Sequence, residues 1–198
     1  MTIEKGKPWG SPGTVPNGAA WADDDAAVAA SRSTVVQPLG GNLWLSLGCP
    51  ARKSAGEDCM MLPIDAMRCT VNHDGGSSVV TAVAEVVVGS WFGRGGMRVI
   101  TNVGVHGKRN LAPRAHPNDG EFDILEIDAS TSLRQRILAR RRTLTGTHVP
   151  HPTVSVRRGV STEIVRTGGQ ELVIDGRPFG KWTSVRVDIQ PDFMTVLV

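Results

Sequence analysis

Apolar and polar positions alternate through most of the chain beyond Met60, and short breaks rich in Gly, Asp and Asn separate the alternating runs. A period of two sends successive side chains to opposite faces of a strand, so these runs predict a β-rich fold. "MMLPIDAMRCTVN" reads as the first strand. It ends at "HDGGSS", a strong turn, and the β-branched run "VVTAVAEVVVGS" follows as its hairpin partner. "GMRVITNVGVHG" is the next strand, and "EFDILEIDA" alternates around Phe122, Ile124, Leu125 and Ile127. "SLRQRILARRRTL" breaks the pattern. It reads as a helix over 133–144, with Leu133, Ile137 and Leu144 on one side and the arginines elsewhere. Short strands then recur at even spacing through "TVSVRRG", "STEIVRT", "QELVIDG", "KWTSVRVDI" and "FMTVLV", the pattern of a sandwich or barrel.

The first sixty residues read differently. Residues 1–20 are rich in Gly, Pro and small polar residues and predict an irregular lead. "DDDAAVAASR" predicts a short helix with acids at its N-terminus, where the helix dipole favours them. "STVVQPL" reads as a strand, "GGNLWLSLG" as a glycine turn feeding an apolar segment, and "CPARKSAGEDC" as the boundary loop. The expectation is a mainly β protein. An antiparallel β-sandwich with one crossing helix occupies 60–198, and 1–59 form a reduced N-terminal α/β segment that covers an edge or an end of it.

Composition supports one such body. The chain has 198 residues, 40% of them hydrophobic, enough for a substantial core, and 23 Gly with 12 Pro imply many turns. No apolar run approaches the ~18 residues of a membrane-spanning helix. "MTIEKGKPWGSPG" has no apolar segment behind its lysines, so it reads as the start of a cytoplasmic protein, with peripheral attachment to a membrane as the other location. Cys49, Cys59 and Cys69 lack the close pairing of zinc ligands and read as reduced thiols.

Charge changes the picture locally. The formal net charge is only +3, yet the stretch from Arg134 to Arg166 holds eight arginines and a single acid, Glu163, a local excess of +7. Arg140, Arg141 and Arg142 are its centre and candidates for binding phosphate, an anionic lipid or a membrane surface. No aromatic residue interrupts that stretch, which argues against a nucleic-acid partner. The alternative is a solvated face.

Several residues have two readings. In "APRAHPNDGEFDI", Asn118-Asp119-Gly120 suits a tight turn and also suits a seat for a hard cation. Asp175-Gly176 is a hairpin turn in its own right. His148 and His151 flank Pro150, and a metal site on them would lack a further ligand nearby. His106 and His116 read as surface or packing residues. Gly40-Gly41 by itself is a turn.

From about Val99 to Val198 the chain resembles the C-terminal β-sandwich domain of the diacylglycerol kinase and sphingosine kinase family of lipid kinases. Four segments in order carry the resemblance: "APRAHPNDGEFDILEID", the helix with "TGTHVPHPTVSVRR", "LVIDGRPFG", and "VDIQPDFMTVLV". "MLPIDAMRCTVN" is similar to the family's lead-in to that domain. The resemblance implies that Asp119 helps to hold a structural magnesium ion. It also implies that Asp175 lies at the lipid hydroxyl, where a general base assists attack on the γ-phosphate. Arg177 stands where the family usually has Glu, which reverses a charge at that site. In the family an α/β domain precedes the sandwich, and its Gly-Gly-Asp-Gly-Thr loop cradles ATP. The counterpart here is Gly40-Gly41-Asn42-Leu43-Trp44, in which Asn replaces the acid and two bulky residues replace Gly and Thr. Poor ATP binding is therefore expected, as is an ATP-binding domain that is reduced or missing.

The leading functional expectation is a lipid-kinase-like protein without stand-alone kinase activity that binds a lipid, an anionic small molecule or a protein partner. Two others stay open. One is a phosphotransferase acting on a lipid or other hydroxyl, its ATP site completed by a partner chain. The other is a structural module whose cleft is filled by a second copy. A ligand-sized apolar cleft beside Asp119 and Asp175 favours binding or chemistry over the module.

Overall fold

The computed structural model describes residues 3, 8–93, 95–148 and 153–198. The N-terminal segment forms β1 (Ser11–Thr14), β2 (Ala20–Ala22), α1 (Asp25–Ala29), β3 (Val35–Pro38) and α2 (Gly41–Ser46). Asp24 caps α1 by accepting the Ala27 N–H at 2.8 Å, one of the free amides of a helix start. In "GGNLWLSLG" the apolar segment that follows the glycines is the helix α2. Leu43 on α2 is fully buried while its neighbours stay half-exposed, so tertiary packing selects the helix.

Beyond it run β4 (Asp58–His73), β5 (Gly76–Ala82), β6 (Glu85–Val88), β7 (Met97–Thr101), β8 (Val105–His106), β9 (Arg109–Asn110) and β10 (Phe122–Ile127). After α3 (Leu133–Arg142) come β11 (Val154–Gly159), β12 (Ser161–Val165), β13 (Leu172–Ile174), β14 (Arg177–Phe179) and β15 (Ser184–Leu197).

The long strands β4 and β15 pair antiparallel through most of their length and form the spine of a seven-stranded sheet. At one end β5 and β12 flank them; at the other, β1 joins β4, and β3 joins β15 in parallel with β2 beyond it. The second sheet has six antiparallel strands in the order β11-β10-β7-β6-β13-β14. The two sheets face each other around Met67, Cys69, Ile100, Phe122, Trp182 and Val187. Large side chains buried this completely contribute roughly 1.5–3 kcal/mol each. The protein is thus a mainly β, antiparallel sandwich, and the N-terminal segment extends one of its sheets.

"VVTAVAEVVVGS" is not one strand. β5 ends at Ala82 in the first sheet and β6 starts at Glu85 in the second, so Val83-Ala84 is a corner between sheets. Both corner residues are fully buried, which explains the unbroken apolar run. On β15 a shift of register between Gln190 and Met194 changes which residues face inward. Val185 and Val187 fill the sandwich before it; Met194 and Val196 fill a second core after it, with Val28, Leu43, Ile64 and the corner.

The second sheet is covered on both faces. Its outer side packs Met97, Val99, Leu125 and Ile127 under Trp91 and Ala139, the latter on α3. The orientation of the helix is set by its partners. Leu133, Ile137 and Leu144 point outward, and Arg136 and Ala139 face the protein. Arg136 wins the inward position because its guanidinium meets carbonyls that no strand or helix satisfies. It donates to Thr131 O at 3.0 Å, Gly93 O at 3.1 Å, Gly95 O at 2.5 Å and Asp128 O at 3.3 Å. Cys49, Cys59 and Cys69 are free thiols.

Candidate functional site

The junction between the N-terminal segment and the sandwich gathers three buried carboxyl groups. Asp175 comes from the two-residue turn of the β13–β14 hairpin. Asp175 and Gly176 both have positive φ (45° and 75°), as a tight hairpin of this twist requires. The Asp175 side chain turns inward and accepts the N–H groups of Val83 at 2.8 Å, Ala84 at 3.0 Å and Glu85 at 2.9 Å. It thereby satisfies the corner backbone that leaves one sheet for the other. Burial pushes its carboxyl up to about 7, against the pull of those three amides.

Asp25, the first residue of α1, performs the same service for α2. Its carboxylate accepts Asn42 N–H at 2.6 Å and Leu43 N–H at 2.9 Å. The glycines make room for it. A Cβ on Gly41 would lie 2.3 Å from an Asp25 carboxylate oxygen, and one on Gly40 would lie 2.1 Å from the Asp23 carbonyl. Burial raises the Asp25 carboxyl, the two amides lower it, and the charges of Glu85 and Asp24 raise it further.

Glu85, the third buried acid, has both oxygens 2.8 Å from His106 Nδ1. That hydrogen bond holds the imidazole above its usual range, against the desolvation that would lower it. The adjacent Gly107 N–H donates to Asn42 Oδ1 at 2.8 Å, so the β8–β9 hairpin is tied to the start of α2.

An apolar cleft of about 240 Å³ opens beside Asp175. Ala26, Ala29 and Ala30 form one wall; Val80, Thr81, Ile174 and Phe179 form the other. Arg177 stands among the lining residues and ion-pairs with Asp24, so the arginine in the usual place of Glu has an acid of its own.

The structure brings Gly40, Gly41 and Asp175 to one junction and places the other sequence-derived candidates elsewhere. Asp119 ion-pairs with Arg158 and accepts the Glu121 N–H at 3.2 Å. A magnesium ion on this carboxylate would have to displace that guanidinium, and among the described residues no cluster of three His, Cys, Asp or Glu side chains is placed to hold a metal. The loop's own fastening is Asp65, whose carboxylate accepts Gly120 N–H and Asp192 N–H, both at 2.8 Å, and Asn118 Nδ2 at 3.1 Å. Arg140 lies over the Phe92 ring at 5.3 Å, and Arg141 and Arg142 are exposed. His116 packs edge-on against Trp9, His148 is fully buried, and His151 lies outside the described residues.

Sequence reasoning passed over Asp25, Asp65 and Glu85 and took His106 for a surface or packing residue. Two of these had a signal. Asp65 and Glu85 are lone acids inside the apolar runs "MMLPIDAM" and "VVTAVAEVVV", and an acid there must find partners or stay neutral. His106 had none, because its partner is 21 residues away.

Residues 63–198 match the YegS C-terminal NAD kinase beta sandwich-like domain family. The chain belongs to that family. It is similar to the structure of a diacylglycerol kinase from Bacillus anthracis str. Sterne, with 12% identity over 82% of this chain and 66% of that one and a TM-score of 0.48. Two further structures from that strain, provisionally assigned as diacylglycerol kinase, align at 12% and 13% identity, over 66% and 68% of this chain and 39% and 40% of theirs, with TM-scores of 0.39 and 0.40. The chain thus spans from about two fifths to about two thirds of these relatives. No curated protein matches it.

Proposed function

We propose that this chain is a lipid-kinase-family protein without stand-alone kinase activity. Its cleft beside Asp175 binds the apolar end of a hydroxyl-bearing amphiphile. One observation carries the reading: the Asp25 carboxylate already holds the Asn42 and Leu43 amides behind Gly40-Gly41. Backbone amides at a glycine-led helix start are the usual seat for a phosphate. Here an internal anion fills it, and a nucleotide phosphate would meet that charge. Calorimetry with ATP and magnesium is therefore expected to be flat up to millimolar ligand. A dissociation constant of ~10 μM or tighter would overturn the proposal.

The second reading is a phosphotransferase whose donor site comes from another chain. It is favoured by the Asp175 carboxyl near 7, since a group titrating near working pH suits proton transfer from a hydroxyl. The Asp175→Asn variant separates the two. It leaves binding of a fluorescent acyl-chain probe in the cleft unchanged on the first reading, and it abolishes any phosphoryl transfer on the second.

A further inference from the structure

Five of the eleven large apolar residues exposed among the described residues lie on one surface: Phe92, Leu133, Ile137, Leu138 and Leu144, each between 38 and 59% exposed. The same surface carries Arg134, Arg141 and Arg142, all exposed and, among the described residues, in no ion pair, and α3 has no acid in its first turn. We propose that the outer side of α3, together with Phe92, is a docking face for an anionic lipid bilayer.

The composition of the face selects this occupant. Exposed leucines and phenylalanine can sink into the headgroup boundary of a bilayer while the arginines among them meet its anionic phosphates. Arginine stems lie along apolar surface while their heads reach charge.

The geometry makes the face one rigid unit. Arg136 ties α3 to the carbonyls of Gly93 and Gly95, next to Phe92, and the Arg140 guanidinium lies over the Phe92 ring. The face is also joined to the junction. Arg109 on β9 donates to the Arg140 carbonyl at 2.6 Å, while His106 on β8 of the same hairpin pairs with Glu85. A protein seated through α3 thus keeps this hairpin between the bilayer and the junction. The inference does not depend on the ligand assigned to the cleft.

The test is co-sedimentation of the full chain with vesicles of phosphatidylcholine alone and of phosphatidylcholine mixed with phosphatidylglycerol. Binding is expected to the anionic vesicles only, and to fade as salt screens the charges. Arg134→Glu/Arg141→Glu/Arg142→Glu should weaken it at least about tenfold. Phe92→Ser/Leu133→Ser/Ile137→Ser should weaken it by a similar factor, about tenfold or more, through lost apolar burial. These side chains are exposed, so both variants should keep the parent's unfolding midpoint, which confirms that they fold. A parent that ignores anionic vesicles at low salt would overturn the proposal, and an acidic polypeptide that binds in their place would reassign the face to a protein. A serine variant that binds vesicles as the parent does would also overturn it, because charge alone would then account for the attraction.

Discussion

The junction and the outer side of α3 handle charge in opposite ways. At the junction Asp25, Glu85 and Asp175 are buried, and each is spent on a partner inside the protein: two amides, an imidazole, three amides. On α3 the charges are exposed arginines interleaved with exposed leucine and isoleucine. Buried charge must close on itself or lose its hydration without return, whereas exposed charge keeps water and stays available. The difference teaches where to look for partners. A carboxylate that has already captured the amides of a phosphate seat argues against an incoming nucleotide. An arginine face with apolar anchors argues for an outside surface.

The comparison breaks most visibly at Asp175. Asp175→Ala strands three buried N–H groups and is expected to cost roughly 3 kcal/mol or more in denaturant unfolding, while Asp175→Asn, which keeps an acceptor, costs much less. Stability against pH gives the same residue a second signature. The folded carboxyl titrates near 7, above its unfolded range of about 3.9, so between those values the folded state binds the extra proton. Its contribution is fully present below about pH 4 and is lost as pH rises towards 7. Asp123, which burial raises to about 6, acts with the same sign over a narrower window, and His106, raised by Glu85, acts with the same sign above its unfolded value. Asp175→Asn should therefore flatten much of the fall between pH 4 and 7 without removing it. An unchanged slope would mean that Asp175 is ionised throughout.

Arg136 sharpens the comparison at the other region. It is the one charge of α3 that is buried, so Arg136→Ala should destabilise by about 2–3 kcal/mol, whereas Leu133→Ser should stay within about 0.5 kcal/mol. The reverse ranking would put Leu133 on the inward face. The smallest effect is expected at Asp119. With Arg158 already on its carboxylate, Asp119→Asn should shift the thermal midpoint by no more than a few degrees, and millimolar magnesium should move neither protein. A rise with magnesium in the parent only, about 2.7 kcal/mol at a hundred times the dissociation constant, would assign the cation seat.

Strand content, turn positions and the family resemblance were legible along the chain, because alternation and Asp-Gly turns are local signals whose meaning survives any packing. Asp175 was visible as both a hairpin residue and a family acid. Its three amides were not, since they belong to a corner some ninety residues earlier. The inward side of α3 was not legible for a related reason. Its apolar spacing is real, but orientation was decided by Arg136 finding the carbonyls of a separate loop, and no periodicity on one helix records what waits opposite it. The splitting of "VVTAVAEVVVGS" between two sheets likewise follows from a second packing layer. By itself, then, the sequence determined the β architecture, the tight turns and the basic segment. Only the tertiary structure decided which acids are closed and which arginines are open, because burial and long-range partners set the energy of a charge, and neither is written in its immediate neighbours.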